Sequence, residues 1–337
     1  MSVLFATHAA FLDHLTGRGH PERPERLQAV LDGAARVEVA PWLVPVEPRP
    51  ATANELQRVH PKAHLDMMRD LATHGGGRLD PDTVASAGSW HAAEMAAGAC
   101  LSAVEALQRG AGSAAFCAVR PPGHHATRDQ AMGFCLVSNV AVAAASLVAQ
   151  GERVVIVDYD AHHGNGTQAV FYDDPRVLYI SLHQWPLYPG TGSVREVGDH
   201  DGVGTTLNIP LPPGTTGDVY LRAVGEVVLP VVQRFAPTWL IISAGFDGHA
   251  ADPITDLALS AGDYAVITQR LMTLVPAGRR LVVLEGGYDL EALRLCTAAV
   301  LGALADRTLL PEPLTSGGPG AGAVEAVRAF WYEHGLW

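Results

Sequence analysis

Three things are scarce in this 337-residue chain, and each scarcity excludes a class of protein. The four cysteines, Cys100, Cys117, Cys135 and Cys296, stand far apart with no Cys-x-x-Cys. That fits neither a disulfide framework nor a zinc knuckle, and it points to a reducing, cytoplasmic setting. Basic residues are outnumbered 23 to 35, with a formal net charge of −12 and no Lys/Arg block, so there is no electrostatic footprint for nucleic acid or an anionic membrane. No stretch approaches the roughly 18 uninterrupted apolar residues of a membrane span. The Ala-rich segment from Val137 to Ala149 is shorter and suits a buried helix, and the opening MSVLFATHAAFLDH lacks the flanks of a signal peptide. Repeats and low-complexity linkers are missing as well. With 48% hydrophobic residues, the chain has ample material for one large α/β core.

The strongest local signal is RVVIVDYDAHHGNGT, residues 153–167. Val154 to Val157 is a continuous β-branched run, as in a strand buried on both faces of a parallel sheet. It turns abruptly into Asp158, Asp160, His162, His163 and Asn165, so a buried strand delivers carboxylates and imidazoles to its C-terminal end. Further strands are predicted at Val3–Thr7, Ala114–Val119, Val177–Leu182, Trp239–Ile242 and Leu281–Leu284. Helices are predicted from Pro24, over His60–Thr73, Thr83–Arg109, Ser138–Gln150, Thr167–Asp173, Asp218–Phe235 and Ala261–Val275, with an irregular, proline-rich Pro41–Pro50. The alternation predicts a parallel sheet flanked by helices on both faces. The tails after five of the strands read RPPGHH, DYDAHHGNG, SLHQ, SAGFDGH and LEGGY. Parallel strands bring such tails to one edge, where open α/β sheets bind ligands.

Among these tails, Asp160, His162 and Asp247 form the best metal set: one imidazole, two carboxylates and a fourth position left open, suiting zinc or iron(II). Helix capping would account for Asp158 and Asp160 but not for the imidazoles beside them. Asp158 reads as an acceptor for a histidine or an alkali ion. His124 and His125 follow the rigid Pro121-Pro122-Gly123 turn and suit proton transfer, with Asp158 and Asn165 bonding the far ring nitrogens and setting their tautomers. An Asn partner raises an imidazole pKa less than Asp would, keeping the ring available as a base near neutral pH. Tyr288 follows Gly286-Gly287, so its phenol could reach an oxyanion. Phe134 and Tyr188 suit the walls of an apolar slot.

The motifs RPPGHHA (120–126), MGFC (132–135), DYDAHHGNGT (158–167), SLH (181–183), YPGTG (188–192), SAGFDGHAADP (243–253) and EGGYDL (285–290) resemble those of the zinc-dependent histone deacetylase family. Met132 before GFC and Asn165 in HHGNG are similar to class II deacetylases and bacterial histone deacetylase-like amidohydrolases. HPERPER (20–26) resembles the family's first pocket loop.

The resemblance implies a single catalytic domain over residues 1–337, an α/β fold of the arginase/deacetylase type with its active site at the C-terminal strand ends. It implies one zinc on Asp160, His162 and Asp247, His125 as general base and then acid, and His124 as its electrostatic partner. Asn165 and Asp158 would orient these rings, and Tyr288 would bind the amide oxygen. It implies potassium near Asp158, Ser181 and the main chain of Asp160, His162 and Leu182, and a second near Phe171, Asp174 and Val177. His20, Pro21, Gly133, Phe134, Tyr188, Ile254 and Gly287 would surround the substrate, and Arg26 would line a channel behind the metal. Where relatives often carry two aromatics before PG, Leu187 and Tyr188 predict a wider or more polar wall. A dinuclear, arginase-like manganese site would need bridging carboxylates where Gly164 and His249 stand, which leaves one catalytic ion.

The expected substrate is an acetylated lysine peptide or protein. A small acylated amine such as an acetylpolyamine is the alternative, weakened by Ile254 after Asp252-Pro253 but kept open by Asp256. A non-catalytic acyl-lysine-binding protein is the reading from another class. A homo-oligomer could complete the pocket rim.

Overall fold

A strand that is apolar at successive positions can bury both faces only inside a sheet covered on two sides, and the run at Val154 sits in that place. The computed structural model describes residues 2–336. Among them ten strands form: β1 Val3–Ala6, β2 Leu43–Val46, β3 Gly76–Arg78, β4 Val84–Ser86, β5 Ala114–Cys117, β6 Val154–Asp158, β7 Val177–Gln184, β8 Thr206–Leu211, β9 Trp239–Ala244 and β10 Arg280–Leu284. Eight of them make one wholly parallel sheet in the order β2-β1-β5-β10-β9-β6-β7-β8, and β3 pairs with β4 as a separate antiparallel hairpin. β6 is buried at every residue, with Asp158 in register with Ser243 of β9 and Ser181 of β7.

The path of the chain explains where the polar tails meet. From β5 it skips two places to β6, builds outward through β7 and β8, and returns to fill the gap with β9 and β10. The segments leaving β5, β6, β9 and β10 therefore crowd over the middle of the C-terminal edge, where crevices form in open parallel sheets.

Several elements differ from expectation. The proline-rich Pro41–Pro50 stretch contains β2, because the outermost strand leaves some N–H groups without a ladder partner and so tolerates Pro45. The helix expected from Thr83 starts only at Ser89; the β3–β4 hairpin occupies the residues before it. β8 was not foreseen, since Asn208 and Pro210 interrupt its apolar pattern, and neither were the helices Leu290–Leu304 and Ala321–Glu333. The helix expected over Asp218–Phe235 is three pieces: Gly217–Ala223, a π turn at Val224–Val228, and Leu229–Phe235. Pro230 cannot donate a backbone hydrogen bond to the preceding turn, and the wider turn accommodates that loss. No helix among the described residues is long and apolar enough to cross a membrane.

The helix Ser89–Gln108 shows how small residues set the packing. Gly98 faces the extended segment before the helix Ala53–Leu56, and a Cβ there would lie 1.8 Å from the Arg49 carbonyl oxygen. The close approach is fixed by Ala51 N–H donating to Glu94 O at 2.9 Å. In an open helix, Gly to Ala stabilises by about 0.5–1 kcal/mol. Here Gly98→Ala is expected to destabilise by about 1–3 kcal/mol through overpacking, and a thermal midpoint at or above that of the parent would contradict this packing.

Candidate functional site

The loop after β6 folds by local aspartate bends. Asp158 Oδ1 accepts the Asp160 N–H at 3.1 Å, and Asp160 Oδ1 accepts the His162 N–H at 2.9 Å. Asp247, from the tail of β9, accepts the Ala161 N–H at 2.7 Å, and Gly286, after β10, donates its N–H to Asp160 Oδ2 at 2.8 Å. Three strand ends are thus laced together, and one donor atom each from Asp160, His162 and Asp247 lies within 4.8 Å of the others, all buried. A Cβ on Gly245 or Gly286 would fall 1.9 or 2.6 Å from Asp160 Oδ2, so only glycine leaves room for this carboxylate.

The charge balance of this cradle fits a cation. Neither Asp160 nor Asp247 pairs with an arginine or lysine; their close cationic partners among the described residues are imidazoles. Burial pushes the Asp247 carboxyl up, and the charge of Asp160 pushes it the same way. For His162, burial works against the charged form, yet hydrogen bonds to Asp160 and Asp247 and their charge outweigh it and raise the imidazole. Two buried carboxylates that draw so strongly on one imidazole lack positive charge, and the set of one nitrogen and two oxygen donors suits a divalent ion such as zinc.

Beside it, the rings of His124 and His125 lie 4.0 Å apart and differ in partners. His124 Nδ1 is 3.0 Å from Asp158 Oδ2, which also accepts from the Tyr179 hydroxyl at 3.1 Å. His125 Nδ1 is 2.8 Å from Asn165 Oδ1. Burial disfavours charge on both. In His124 the charges of Asp160 and Asp158 overcome it and hold the pKa well above the ordinary value, whereas burial and the neighbouring His124 hold His125 well below it. The two environments therefore push the proton affinities of the adjacent rings in opposite directions. The turn carrying both is held by Glu285, which accepts the Gly123 and His124 N–H groups at 2.6 and 3.1 Å.

A cavity of about 210 Å³ opens onto His125, with His124 behind it outside the lining. His125, His162 and Tyr288 face it, with Gly133, Phe134, Tyr188 and Ile254 along its walls. Leu187 and Asp82 also line it. The Tyr188 ring lies edge-on to His125 at 5.2 Å, and Phe134 meets Tyr288 edge-on at 5.8 Å. Gly133 is held close, since a Cβ there would lie 2.4 Å from His125 Cδ2. Burial raises the Tyr288 phenol well above its ordinary pKa, so it stays protonated, and its N–H donates to Asp252 at 2.7 Å. His20 stands behind the wall, its ring 4.8 Å from Phe134, next to Pro21. Gly287 offers its carbonyl to Arg26 Nε at 2.6 Å, and the Arg26 guanidinium lies 5.0 Å from the centre of the Tyr288 ring.

Ser181, facing Asp158 across the sheet, shares a 2.9 Å hydrogen bond with His183 Nδ1, and Leu182 O accepts from Tyr220. Phe171, Asp174 and Val177 form a tight turn in which Asp174 N–H donates to Phe171 O and Val177 N–H to Asp174 O. Of the arginase-like positions, Gly164 abuts Asp158, and His249 is bonded to Glu312. Asp252, Glu285 and Asp82 have no role in the sequence pattern alone: Glu285 and Asp252 lie inside motifs whose other residues bear the metal-ligand and acid/base chemistry, and Asp82 carries no local signal.

The family described as histone deacetylase domain matches residues 20–304. A probable deacetylase of Archaeoglobus fulgidus is 41% identical over 315 residues, covering 91% of this chain and 88% of that protein. A histone deacetylase-like amidohydrolase of Pseudomonas aeruginosa is 39% identical over 311 residues, covering 88% of this chain and 80% of that one. The crystal structure of the HDA15 HD domain superposes with a TM-score of 0.92 at 38% identity, over 99% of this chain and 97% of that one.

The loop bearing Gly133 and Phe134 is anchored by His60. Its Nε2 accepts the Ser138 N–H at 3.0 Å, so Nδ1 carries the proton and donates to Arg128 O at 3.0 Å. Burial, helped by His64, lowers its pKa to about 4. The unfolded chain takes up this proton at about 6.5, so the contribution to stability is complete above that pH and falls as pH drops toward 4. Urea midpoints measured across this window should decline for the parent, and His60→Gln should remove part of that slope; identical slopes would exclude His60 as the source.

Proposed function

Because the chain belongs to the histone deacetylase family and is a deacetylase-type hydrolase, we propose that it removes acetyl groups from lysine side chains with a single zinc ion, residues 1–337 acting as one catalytic domain. The observation that carries this reading is the pair of adjacent imidazoles, one bonded to a carboxylate and the other to an amide, beside a buried, cation-deficient carboxylate set. Asp160, His162 and Asp247 would hold the zinc, which when bound supplies Lewis acidity toward water and the amide carbonyl.

The remaining steps belong to side chains. His125 donates Nδ1–H to Asn165, which leaves Nε2 as the base for the attacking water; its low pKa keeps it unprotonated until that step. The proton then passes from His125 to the leaving amine. His124, kept charged by Asp158, adds positive potential where negative charge develops on the substrate. Tyr288, protonated and backed by Arg26, donates to the developing oxyanion. Phe134 and Tyr188 would grip the lysine methylenes between aromatic faces. Potassium at Asp158, Ser181 and Leu182, and at Phe171, Asp174 and Val177, belongs to the same reading.

One observation favours a second substrate class. Asp82 lines the cavity, and its carboxylate would suit an acylated amine with another cationic group, such as an acetylpolyamine. The apolar Ile254 on the same cavity favours lysine. The ratio of kcat/KM for an acetyl-lysine peptide and acetylspermidine should exceed one; a ratio below one would assign the polyamine.

Tyr288→Phe is expected to lower kcat by about 10²-fold or more, as for loss of an oxyanion donor; an unchanged kcat would remove that role. Asp247→Ala should abolish both activity and bound zinc by elemental analysis, and full zinc content in the variant would overturn the ligand assignment.

A further inference from the structure

The family match ends at residue 304, and the chain beyond it reaches His249, two residues after Asp247. After the helix Leu290–Leu304, an irregular strap, residues 306–320, crosses the start of the helix Ala261–Leu271 before entering the helix Ala321–Glu333. It is tied down along its length. Ser260 Oγ donates to Pro313 O at 2.7 Å, Thr315 Oγ1 donates to Asp263 at 2.7 Å, and the Gly217 N–H donates to Thr315 Oγ1 at 2.8 Å. The contact is close enough that a Cβ on Gly262 would lie 2.4 Å from Glu312 O.

Glu312 makes the contact that matters for the site. Its Oε2 lies 2.8 Å from both the Ala261 N–H and His249 Nε2. His249 Nδ1 accepts the Ala251 N–H at 3.1 Å, so Nε2 carries the proton and donates to Glu312. His249 thereby braces the turn from Asp247 to Ile254 from inside, and the Asp252 N–H returns to His249 O at 2.8 Å. Asp252 is buried, and its two oxygens accept the Ile254 N–H at 3.0 Å and the Tyr288 N–H at 2.7 Å. A continuous path of hydrogen bonds therefore runs from the strap to the backbone of two residues that line the cavity.

We propose that Glu312, alone among the strap's residues, belongs to the active site's positioning machinery, acting through His249 and Asp252 to hold Tyr288 and Ile254 in place. Glu312 touches no reacting atom; it is a positioning residue. The proposal rests on the deacetylase reading for its kinetic consequence but not for its structural one. Displacing a catalytic group slightly from a remote site is enough to slow turnover by an order of magnitude or more.

The test uses the full chain with Glu312→Ala, Glu312→Gln and Thr315→Val. Hydrogen–deuterium exchange should quicken in Glu312→Ala over peptides covering 249–255 and 286–290, and kcat on a zinc-loaded acetyl-lysine amide assay should fall about tenfold. Glutamine keeps an acceptor oxygen, so Glu312→Gln should restore both. Thr315→Val loosens the strap away from His249 and should lower the thermal midpoint while leaving exchange in those peptides and kcat at parent values. Unchanged exchange in Glu312→Ala, or equal changes in Thr315→Val, would overturn the proposal. If the parent enzyme does not turn over the amide, the deacetylase reading fails on its own, and the exchange data still decide the strap.

Discussion

The structure depends on keeping several carboxylates out of water at the middle of one sheet edge. Asp158, Asp160, Asp247 and Glu285 are fully buried, and a buried charge is costly unless hydrogen bonds and opposite charge meet it. Backbone N–H groups meet much of that demand, from Asp160 to Asp158, from Ala161 to Asp247, from Gly286 to Asp160, and from Gly123 and His124 to Glu285. Those donors come from the tails of β5, β6 and β10, so satisfying the carboxylates also locks the tails together. The imidazoles and the proposed zinc ion meet what remains. Gly245 and Gly286 follow from the same constraint, because the backbone passes too close to Asp160 for any side chain.

The two adjacent histidines show how environment divides labour between identical side chains. Both are buried, but His124 faces Asp158 and Asp160 whereas His125 faces a neutral amide and a charged neighbour. Proton affinity is thereby split across two rings 4.0 Å apart, as environment-driven pKa shifts at functional sites commonly do. Pairs of titratable groups pushed in opposite directions mark such sites more reliably than either group alone.

Behind Tyr288 the charge is reversed. Arg26 and Arg120 share Glu22, buried with both of them, and Arg26 also donates to the carbonyls of Glu285 and Gly287 at 2.6 Å. Those carbonyls bracket the Gly286–Tyr288 turn, so a buried arginine fixes the main chain on one side of the tyrosine while Asp252 holds its N–H on the other. The phenol is thus placed by its backbone rather than by a side-chain hydrogen bond. This is why the strap can bear on the site without approaching it.

The alternation of apolar runs and polar tails was sufficient to read a parallel α/β sheet with its site at the C-terminal edge, because two-faced burial leaves a plain mark on composition. His124, His125, Asp158, Asp160, His162 and Asn165 were legible for a related reason: carboxylates and imidazoles crowded straight after a buried strand are costly to keep there unless they bind or react with something. The edge elements were not legible. β2 and β8 carry prolines and polar residues that an outer strand tolerates, so their sequences do not look like strands. Only the tertiary structure decided that Glu285 and Asp252 brace the turns of His124 and Tyr288, and that Glu312 reaches His249 from 63 residues away. Such contacts depend on where separate segments come to rest, and no periodicity along the chain encodes the distance between two of its loops.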